Sequence, residues 1–214
     1  MAFMKMKNLE TSYFAHPTAI VEPGAVVGPD TRIWAFAHVQ TGAVIGSRCN
    51  IGNYGFIESG VKLGDDVTVK NGVQVWEGVE AENGVFIGPG CVFTNDLFPR
   101  VYRKRTKNLW LKGTILKEGC SLGANSTLIC GIEIGRYAFV GAGALVTRSV
   151  VDFALVRGSP AIFHSWRCYC AAQLAFRKKN GRCVECGQEF FLEKRNLIRP
   201  LRDNPLLKRD PIKL

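Results

Sequence analysis

The chain has 214 residues, a formal net charge of +10 and eight cysteines, a size that fits one main domain with a small appendage. It holds no run of about 18 apolar residues, which argues against a transmembrane helix, and residues 1–12 lack the long apolar core of a signal peptide. The basic charge favours anionic partners, but no nucleic-acid-binding motif accompanies it, so we expect neither a nucleic acid nor a membrane as a partner.

After a lead-in over residues 1–14, an aliphatic residue recurs at every sixth position through most of residues 15–161. The recurring residues are Val21, Val27, Ile33, Val39, Ile45, Ile51, Ile57, Leu63, Val69 and Val75, and later Leu116, Leu122, Leu128, Ile134, Val140 and Val146. A small or β-branched residue stands two positions before most of them, and glycine often follows. A period of six fits neither a helix nor a plain strand. It is typical of a hexapeptide solenoid, in which each repeat is a short strand and a turn.

Strand alternation explains why two residues per repeat are small or aliphatic. Residues i and i−2 point to the same face of a strand, so both lie inside the coil, and the residue between them points outward. Three six-residue sides close one triangular coil, which places each residue against the one eighteen positions later. One coil cannot bury its interior alone, and the sequence predicts a stack of about six coils.

Residues 94–113 break the period and are predicted to leave the coil as an excursion loop. Excursions of this length in a compact fold are usually functional or disordered. Three arginines, Arg100, Arg103 and Arg105, follow Asn95 and Asp96 closely. This clustering favours a functional loop whose arginines bind phosphate groups.

The cysteines divide into two groups. Cys49, Cys91 and Cys120 stand two positions before an aliphatic repeat residue, where a free cysteine behaves as a small apolar side chain, and Cys130 is expected in the core or at a corner. No disulfide framework is indicated, which favours a reducing, cytoplasmic location.

The second group lies in residues 162–191. Cys168 and Cys170 form a CxC pair, and Cys183 and Cys186 form a CxxC pair before a glycine. Four thiolates close a tetrahedral zinc shell, so the spacing predicts a zinc-ribbon-like segment with a structural zinc. Four reduced thiols without a metal are the alternative. Residues 192–214 form a basic tail, either lying over a neighbouring surface or disordered.

Several motifs, together with the six-residue period, resemble a known family. They are His16-Pro17-Thr18-Ala19-Ile20, Thr31-Arg32-Ile33-Trp34, Trp76-Glu77-Gly78-Val79, Gly88-Pro89-Gly90-Cys91-Val92-Phe93-Thr94-Asn95-Asp96, Pro99-Arg100 and Tyr137-Ala138-Phe139-Val140-Gly141-Ala142-Gly143. The chain looks like the hexapeptide-repeat acyltransferases, in the branch that N-acylates 3-amino sugars carried on a nucleotide diphosphate. The resemblance implies an all-β fold built as a left-handed parallel β-helix. It also implies acetyl-CoA as the co-substrate and a homotrimer with its sites in clefts between subunits.

Stacking of the coils predicts where polar side chains gather. Trp76, Glu77, Asn95 and Asp96 should share the corner from which the excursion leaves, and we expect a substrate groove there. Asn71 stacks on Asn53, either as part of the site or as an amide ladder that only stabilises its corner.

The catalytic candidates are Asn71, Glu77, Asp96 and His38. Transfer of an acetyl group to an amine needs a positioned amine, an oxyanion stabiliser and a proton acceptor. His38 points outward and is a candidate base. We favour the alternative in which the departing sulfur or solvent takes the proton and the polar residues orient the amine.

Coenzyme A is expected along the later coils. The run Gly141, Ala142, Gly143 and Ala144 should present unshielded backbone amides to the pantetheine arm, with Ala124 as a further contact. Lys117, Arg148 and Arg157 could meet the phosphates. The outward residues Trp34, Trp76 and Tyr54 stack on a nucleobase or, equally, pack between subunits.

These observations together predict an acetyl-CoA-dependent N-acetyltransferase that acts on a nucleotide-linked 3-amino sugar in the synthesis of a surface glycan of the O-antigen or S-layer type. The alternatives are an O-acetyltransferase acting on a sugar or serine and a non-catalytic β-helix scaffold. A metal-dependent lyase of the same fold would need a histidine triad, and the three histidines are scattered along the chain.

Overall fold

The computed structural model describes residues 12–103, 105–194 and 197–203. The expected lead-in up to residue 11 and the basic tail beyond residue 203 lie outside the described residues. Among the described residues, no helix is long and apolar enough to span a membrane.

The six-residue period builds a triangular solenoid of short parallel strands. The strands before the excursion are β1 (Phe14–Ala15), β2 (Ile20–Val21), β3 (Val26–Val27), β4 (Arg32–Ile33), β5 (His38–Val39), β6 (Val44–Ile45), β7 (Asn50–Ile51), β8 (Phe56–Ile57), β9 (Lys62–Leu63), β10 (Thr68–Val69), β11 (Gln74–Val75), β12 (Val79–Ala81), β13 (Phe86–Ile87) and β14 (Val92–Phe93). Helix α1 (Lys107–Trp110) lies in the excursion. The strands after it are β15 (Thr114–Leu116), β16 (Ser121–Leu122), β17 (Thr127–Leu128), β18 (Glu133–Ile134), β19 (Phe139–Val140) and β20 (Leu145–Val146).

The strands form three parallel sheets, one for each side of the triangle. Sheet I begins β1-β4-β7-β10-β13-β16-β19, sheet II is β2-β5-β8-β11-β14-β17-β20, and sheet III is β3-β6-β9-β12-β15-β18. Before the excursion each residue pairs with the one eighteen positions later, as Ile20 does with His38. The predicted coil stacking is confirmed. The architecture is a nearly all-β parallel solenoid, consistent with a left-handed β-helix.

The core is the inside of the triangle, and it holds the residues that the period predicts. Ile33, Val39, Ile51 and Leu122 are fully buried, and so is Ala37, two positions before Val39. Cys49, Cys91, Cys120 and Cys130 are buried too. Burial raises the pKa of the Cys91 thiol to about 11, so these cysteines act as small core residues.

The excursion leaves the solenoid after a strand of sheet II and returns at the next strand of sheet III, and the parallel pairing of the following coils continues. Val79 pairs with Thr114, thirty-five residues later instead of eighteen, and the parallel register then continues. The inserted chain therefore loops outward and returns to the place where the next strand is due.

Sheet I continues past the last coil into the cysteine-containing segment. Strand β21 (Ala154–Arg157) pairs in parallel with β19, β22 (Ile162–Arg167) returns antiparallel to β21, and β23 (Gln173–Leu174) follows. A four-stranded antiparallel sheet then forms from β24 (Phe176–Arg177), β25 (Asn180–Arg182), β26 (Glu189–Lys194) and β27 (Leu197–Pro200). The appendage thus shares a sheet with the solenoid.

Candidate active site

Three corners run the length of the solenoid, and the predicted site residues are divided among them. Corner I/II follows the strands of sheet I and carries Asn71, Ala124, Gly141, Ala142, Gly143 and Arg157. Corner II/III follows sheet II and carries Trp76, Glu77, Asn95, Asp96 and Arg148, with the excursion and its Arg100, Arg103 and Arg105. Corner III/I follows sheet III and carries Lys117, while His38 lies on the outer face of sheet II. Asn71 and Glu77 are six residues apart along one side, at most about 20 Å.

Two ion pairs and a short stretch of backbone pairing hold the excursion. The Asp96–Arg105 pair and the backbone pairing close the base of the loop, and the Lys107–Glu77 pair ties it to the solenoid. Arg105 Nη2 lies 2.6 Å and 2.5 Å from the two carboxylate oxygens of Asp96 and 2.9 Å from the Phe98 carbonyl. Lys107 of α1 pairs with Glu77, and the Lys112 amide donates to the Asn95 carbonyl at 2.9 Å. These contacts of Asp96 with Arg105, Glu77 with Lys107 and Asn95 with Lys112, which we call the clasp, hold the loop in one shape at corner II/III.

This clasp constrains what Asp96 can do as a base. The Phe98 amide, which donates to Asp96 at 2.8 Å, and the Arg105 guanidinium hold the pKa of the Asp96 carboxyl below its usual value. Both partners stabilise the ionised form, so Asp96 is a weak proton acceptor. Its geometry suits a residue that positions the excursion.

The arginines of the excursion have different surroundings. The side chains of Arg105 and Asp96 are only 16% and 21% exposed, so Arg105 is committed to the clasp. Arg100 and Arg103 make no ion pair with a described residue, and they line a cavity of about 520 Å³ together with Phe98. Arg100 and Arg103 are therefore the arginines of the loop whose side chains are not engaged in an ion pair with a described residue.

His38 forms a pair with Glu22 on the outer face of sheet II. His38 Nε2 lies 2.6 Å from Glu22 Oε1, and Glu22 Oε2 accepts the Thr41 amide at 2.9 Å. The Thr41 amide and His38 lower the pKa of Glu22. Phe56 contacts the His38 ring on one side and Trp76 on the other, each at 5.5 Å between ring centroids. A row of rings thus connects His38 to corner II/III.

Corner I/II offers a smooth surface beside the amide of Asn71. Gly72 and Gly143 have positive φ angles of 71° and 67°, and a Cβ placed on either would have no heavy atom within 4 Å. At the C-terminal end of this corner, Arg157, Gly158, Phe163 and His164 line a cavity of about 460 Å³. A linear ligand could therefore lie along this corner from Arg157 towards Asn71.

The expectation of unshielded amides in residues 141–144 is wrong for three of the four. The amides of Gly141, Gly143 and Ala144 donate to the carbonyls of Val156, Ala124 and Gly141. The amides of Gly141 and Gly143 are used in hydrogen bonds to the neighbouring coils, and the Ala144 amide closes the turn within its own coil. Any contact with this run must rely on its small side chains and open surface.

Two other cations predicted to meet phosphates lie away from that surface. Lys117 Nζ is 3.1 Å from Glu82 and 3.8 Å from Glu133, and the Glu82 carboxylate raises the pKa of Lys117. Arg148 lines an apolar cavity of about 620 Å³ beside Ile162 and Trp166. Neither is brought to corner I/II of its own chain.

The four cysteines of the appendage converge on one point. Their sulfur atoms all lie within 4.8 Å of one another, with 3.4 Å between Cys168 and Cys186 and 3.5 Å between Cys170 and Cys183. Burial opposes ionisation of Cys183, but the amides of Cys186 and Glu185 outweigh it and lower the pKa of Cys183 to about 7. A tetrahedral zinc with Zn–S bonds of ~2.3 Å places its sulfurs ~3.8 Å apart, so the cluster fits that metal.

Sequence reasoning missed two features. Glu22, the partner of His38, precedes it by sixteen residues, and neither the period nor the eighteen-residue stacking aligns the two. The second is Phe36, which stacks on the outward ring of Tyr54 at corner I/II with the ring centroids 5.1 Å apart; Tyr54 itself is predicted to point outward. Its signal was present, since both residues occupy the turn position that glycine holds at Gly72 and Gly90.

Together, the triangular hexapeptide solenoid and a loop fastened at one corner define a hexapeptide transferase, and sequence comparisons agree. Bacterial transferase hexapeptide (six repeats) matches residues 24–59, and hexapeptide repeat of succinyl-transferase matches residues 114–148. The chain is 45% identical over 191 residues to the dTDP-3-amino-3,6-dideoxy-alpha-D-galactopyranose 3-N-acetyltransferase of Aneurinibacillus thermoaerophilus, an alignment that covers 86% of this chain and 94% of that protein. The chain belongs to the hexapeptide-repeat acyltransferases, in the branch of nucleotide-linked amino-sugar N-acetyltransferases.

More distant matches share the repeat. The bifunctional protein GlmU of Synechococcus sp. (strain CC9605) is 31% identical over 134 residues, which are 63% of this chain but 27% of that protein. Among solved structures, AntD, an N-acyltransferase from Bacillus cereus in complex with dTDP and 3-hydroxybutyryl-CoA, aligns over 74% of this chain and 81% of that one, with 18% identity and a TM-score of 0.48. A likeness at that level is too distant to inform the site.

Proposed function

We propose that this protein transfers an acetyl group from acetyl-CoA to the 3-amino group of a dTDP-linked 3-amino-deoxy sugar. The observation that carries the proposal is the 45% identity to a dTDP-3-amino-sugar 3-N-acetyltransferase over almost the whole of that relative. The product, an N-acetylated nucleotide sugar, is a donor for glycosyl transfer, which fits the synthesis of a surface glycan in the cytoplasm.

The acyl donor is assigned to corner I/II. Its 3′-phosphoadenosine end meets Arg157 at the C-terminal cavity, and its pantetheine arm passes Gly143, Ala142 and Ala124 towards the open surface at Gly72. The thioester then lies beside Asn71, whose amide can orient the attacking amine. A thioester has a good leaving group, so the reaction needs no covalent enzyme intermediate.

The acceptor has to bring its amine to the same place. Glu77, Asp96, Arg100 and Arg103 lie on corner II/III, up to about 20 Å from Asn71 in one chain. We infer that the site is completed by a homotrimer, in which the excursion of one subunit faces corner I/II of the next. Arg100 and Arg103, which have no ionic partner among the described residues, bind the diphosphate.

The proton is assigned to the departing thiolate or to solvent. His38 is held by Glu22 two coils before Asn71, about 10 Å along the solenoid axis at ~4.8 Å per coil. Replacement of His38 by alanine should therefore lower kcat by much less than the roughly 10²–10⁴-fold that a general base contributes.

The function is tested with a panel of nucleotide-linked amino sugars, scored by thiol release from acetyl-CoA and by mass of the product. We expect turnover with a dTDP-linked 3-amino sugar. Arg100→Ala should raise the KM for that acceptor more than the KM for acetyl-CoA, with Arg177→Ala, on the appendage, as the matched control. Turnover only of hydroxyl acceptors would support an O-acetyltransferase, and absence of acetyl-CoA binding would support a scaffold.

The cysteine cluster is assigned a structural zinc held by Cys168, Cys170, Cys183 and Cys186. The convergence of their sulfur atoms supports this, and four protein ligands leave no open position for catalysis. Protein purified without chelator should carry about one zinc per chain, which elemental analysis would measure. Metal-free protein that keeps its fold would contradict the assignment.

A further inference from the structure

Two aromatic pairs in this chain occupy the positive-φ position of the solenoid turns and stack their rings. Phe36 and Tyr54 have φ angles of 59° and 58°, and their rings stack at 13°. Tyr137 and Phe153, on corner III/I, have φ angles of 54° and 62° and stack at 15°. Positive φ costs a side chain with a Cβ roughly 1–2 kcal/mol per residue. Because side chains such as Asp30, Arg48 and Asp66 adopt the same positive φ at other turns, the distinguishing feature of the two pairs is the stacking of their rings.

One of the two pairs has a visible partner. Tyr137 and Phe153, which we call the covered pair, hold the ring of Tyr169 edge-on at 4.6 Å and 5.1 Å between centroids, and Phe190 packs on Phe153 at 5.4 Å. Phe153 is only 4% exposed. Within this protein, therefore, a stacked pair of this kind serves as a docking surface for another ring.

The other pair is not covered by any ring among the described residues. Phe36 and Tyr54, which we call the open pair, are 54% and 62% exposed. The next residue in the same column is Gly72, which leaves open space where a side chain would stand. One face of the Tyr54 ring can therefore be reached from that side.

The position of the open pair indicates which ligand could pack on it. It lies on corner I/II, one coil before Asn71 and Gly72, where the proposed path of the acyl donor ends. The donor approaches Asn71 from the C-terminal side, which leaves the open pair, on the N-terminal side of Asn71, available to a ring of the acceptor. The acceptor carries two rings that can pack on an aromatic side chain: the planar nucleobase, and the sugar that bears the amine, which would pack through its C–H faces.

We propose that the open pair is the acceptor subsite, in which a ring of the nucleotide sugar lies flat against Tyr54 with Phe36 supporting it from behind. This inference rests on the proposed function and names the part of the chain that holds its acceptor. Stacking of a base on an aromatic side chain contributes about 1–3 kcal/mol, and one 1.4 kcal/mol step is about a tenfold change in affinity.

The test is calorimetric titration of the full-length protein, without acetyl-CoA, using a dTDP-linked 3-amino sugar and dTDP alone. Tyr54→Ala should weaken binding of the nucleotide sugar by about tenfold or more, Tyr54→Phe should restore it to within about threefold, and the KM for acetyl-CoA should not change. Phe14→Ala, an exposed ring on sheet I, is the matched control and should bind normally. Equal weakening of dTDP binding assigns the ring to the nucleobase, and unchanged dTDP binding assigns it to the sugar.

Three outcomes overturn the inference. Tyr54→Ala protein that binds and acetylates the acceptor with normal constants removes the subsite while leaving the proposed function intact. A loss of oligomer mass in Tyr54→Ala, measured by light scattering, shows that the open pair packs against a second copy instead. A wild-type protein that neither binds nor acetylates any nucleotide 3-amino sugar overturns the proposed function, and the inference with it.

Discussion

The covered pair and the open pair are both stacked rings at solenoid turns, on different corners and near opposite ends of the solenoid, and they differ sharply in what lies on them. The covered pair sits where the last coils meet the appendage, and Tyr169 and Phe190 bury it. The open pair sits in the second and third coils and faces outward. A stacked pair at the turn position is therefore a general way for this solenoid to present a flat apolar surface. The neighbours decide whether that surface stabilises the fold or recognises a ligand.

Removal of the proposed zinc should produce the largest difference between the covered pair and the open pair. In our proposal the zinc holds together the appendage that covers Tyr137 and Phe153, and structural zinc sites contribute apparent free energies of about 10–16 kcal/mol. Cys183→Ser should abolish zinc binding and reduce the near-ultraviolet circular dichroism of Tyr169 and its neighbours. Binding of the nucleotide sugar at the open pair should persist. Cys120→Ala, a buried cysteine of the solenoid, is the control and should keep its zinc.

The next largest difference should be in how much each pair contributes to the free energy of unfolding. Phe153→Ala should lower the free energy of unfolding by about 3–5 kcal/mol, the usual cost of removing a buried phenylalanine. Tyr54→Ala should change it by no more than about 0.5 kcal/mol, because the ring is exposed. Denaturant unfolding of both variants checks this. Similar losses in the two would mean that the open pair is also buried, most simply between subunits.

The smallest expected effect distinguishes the backbone strain at Tyr54 from the contribution of its ring to acceptor binding. Asparagine tolerates positive φ better than tyrosine, and Asn125 occupies the equivalent turn position three coils later with φ 55°. Tyr54→Asn should therefore raise the free energy of unfolding by up to about 1 kcal/mol relative to Tyr54→Ala, while both variants lose acceptor affinity equally. If Tyr54→Asn is the less stable of the two, backbone strain is not stored at this turn.

The excursion illustrates how far sequence reasoning reached at the candidate site. The break in the period located the loop, and coil stacking placed Glu77 beside Asn95, because the parallel register repeats every eighteen residues. The pairing of Asp96 with Arg105 and of Glu77 with Lys107 could not be predicted, since the shape of an irregular loop depends on contacts that no period describes. The distribution of candidate residues over three corners follows from their phase in the repeat, but its meaning for catalysis depends on assembly, which a single chain does not contain.

By itself the sequence determined the solenoid: a period of six with a small residue two positions earlier admits only a coil that buries both, so the three sheets, the register and the buried cysteines follow from strand alternation. It also determined that four cysteines cluster after the last coil. Only the tertiary structure decided which outward side chains find partners. Tyr169 reaches the covered pair because the appendage folds back through β22 and β23, whereas nothing among the described residues folds back over Tyr54. The physical reason is that the repeating strand geometry fixes which side chains are buried inside the coil. The contacts of an outward side chain depend instead on which segment, subunit or ligand lies against it.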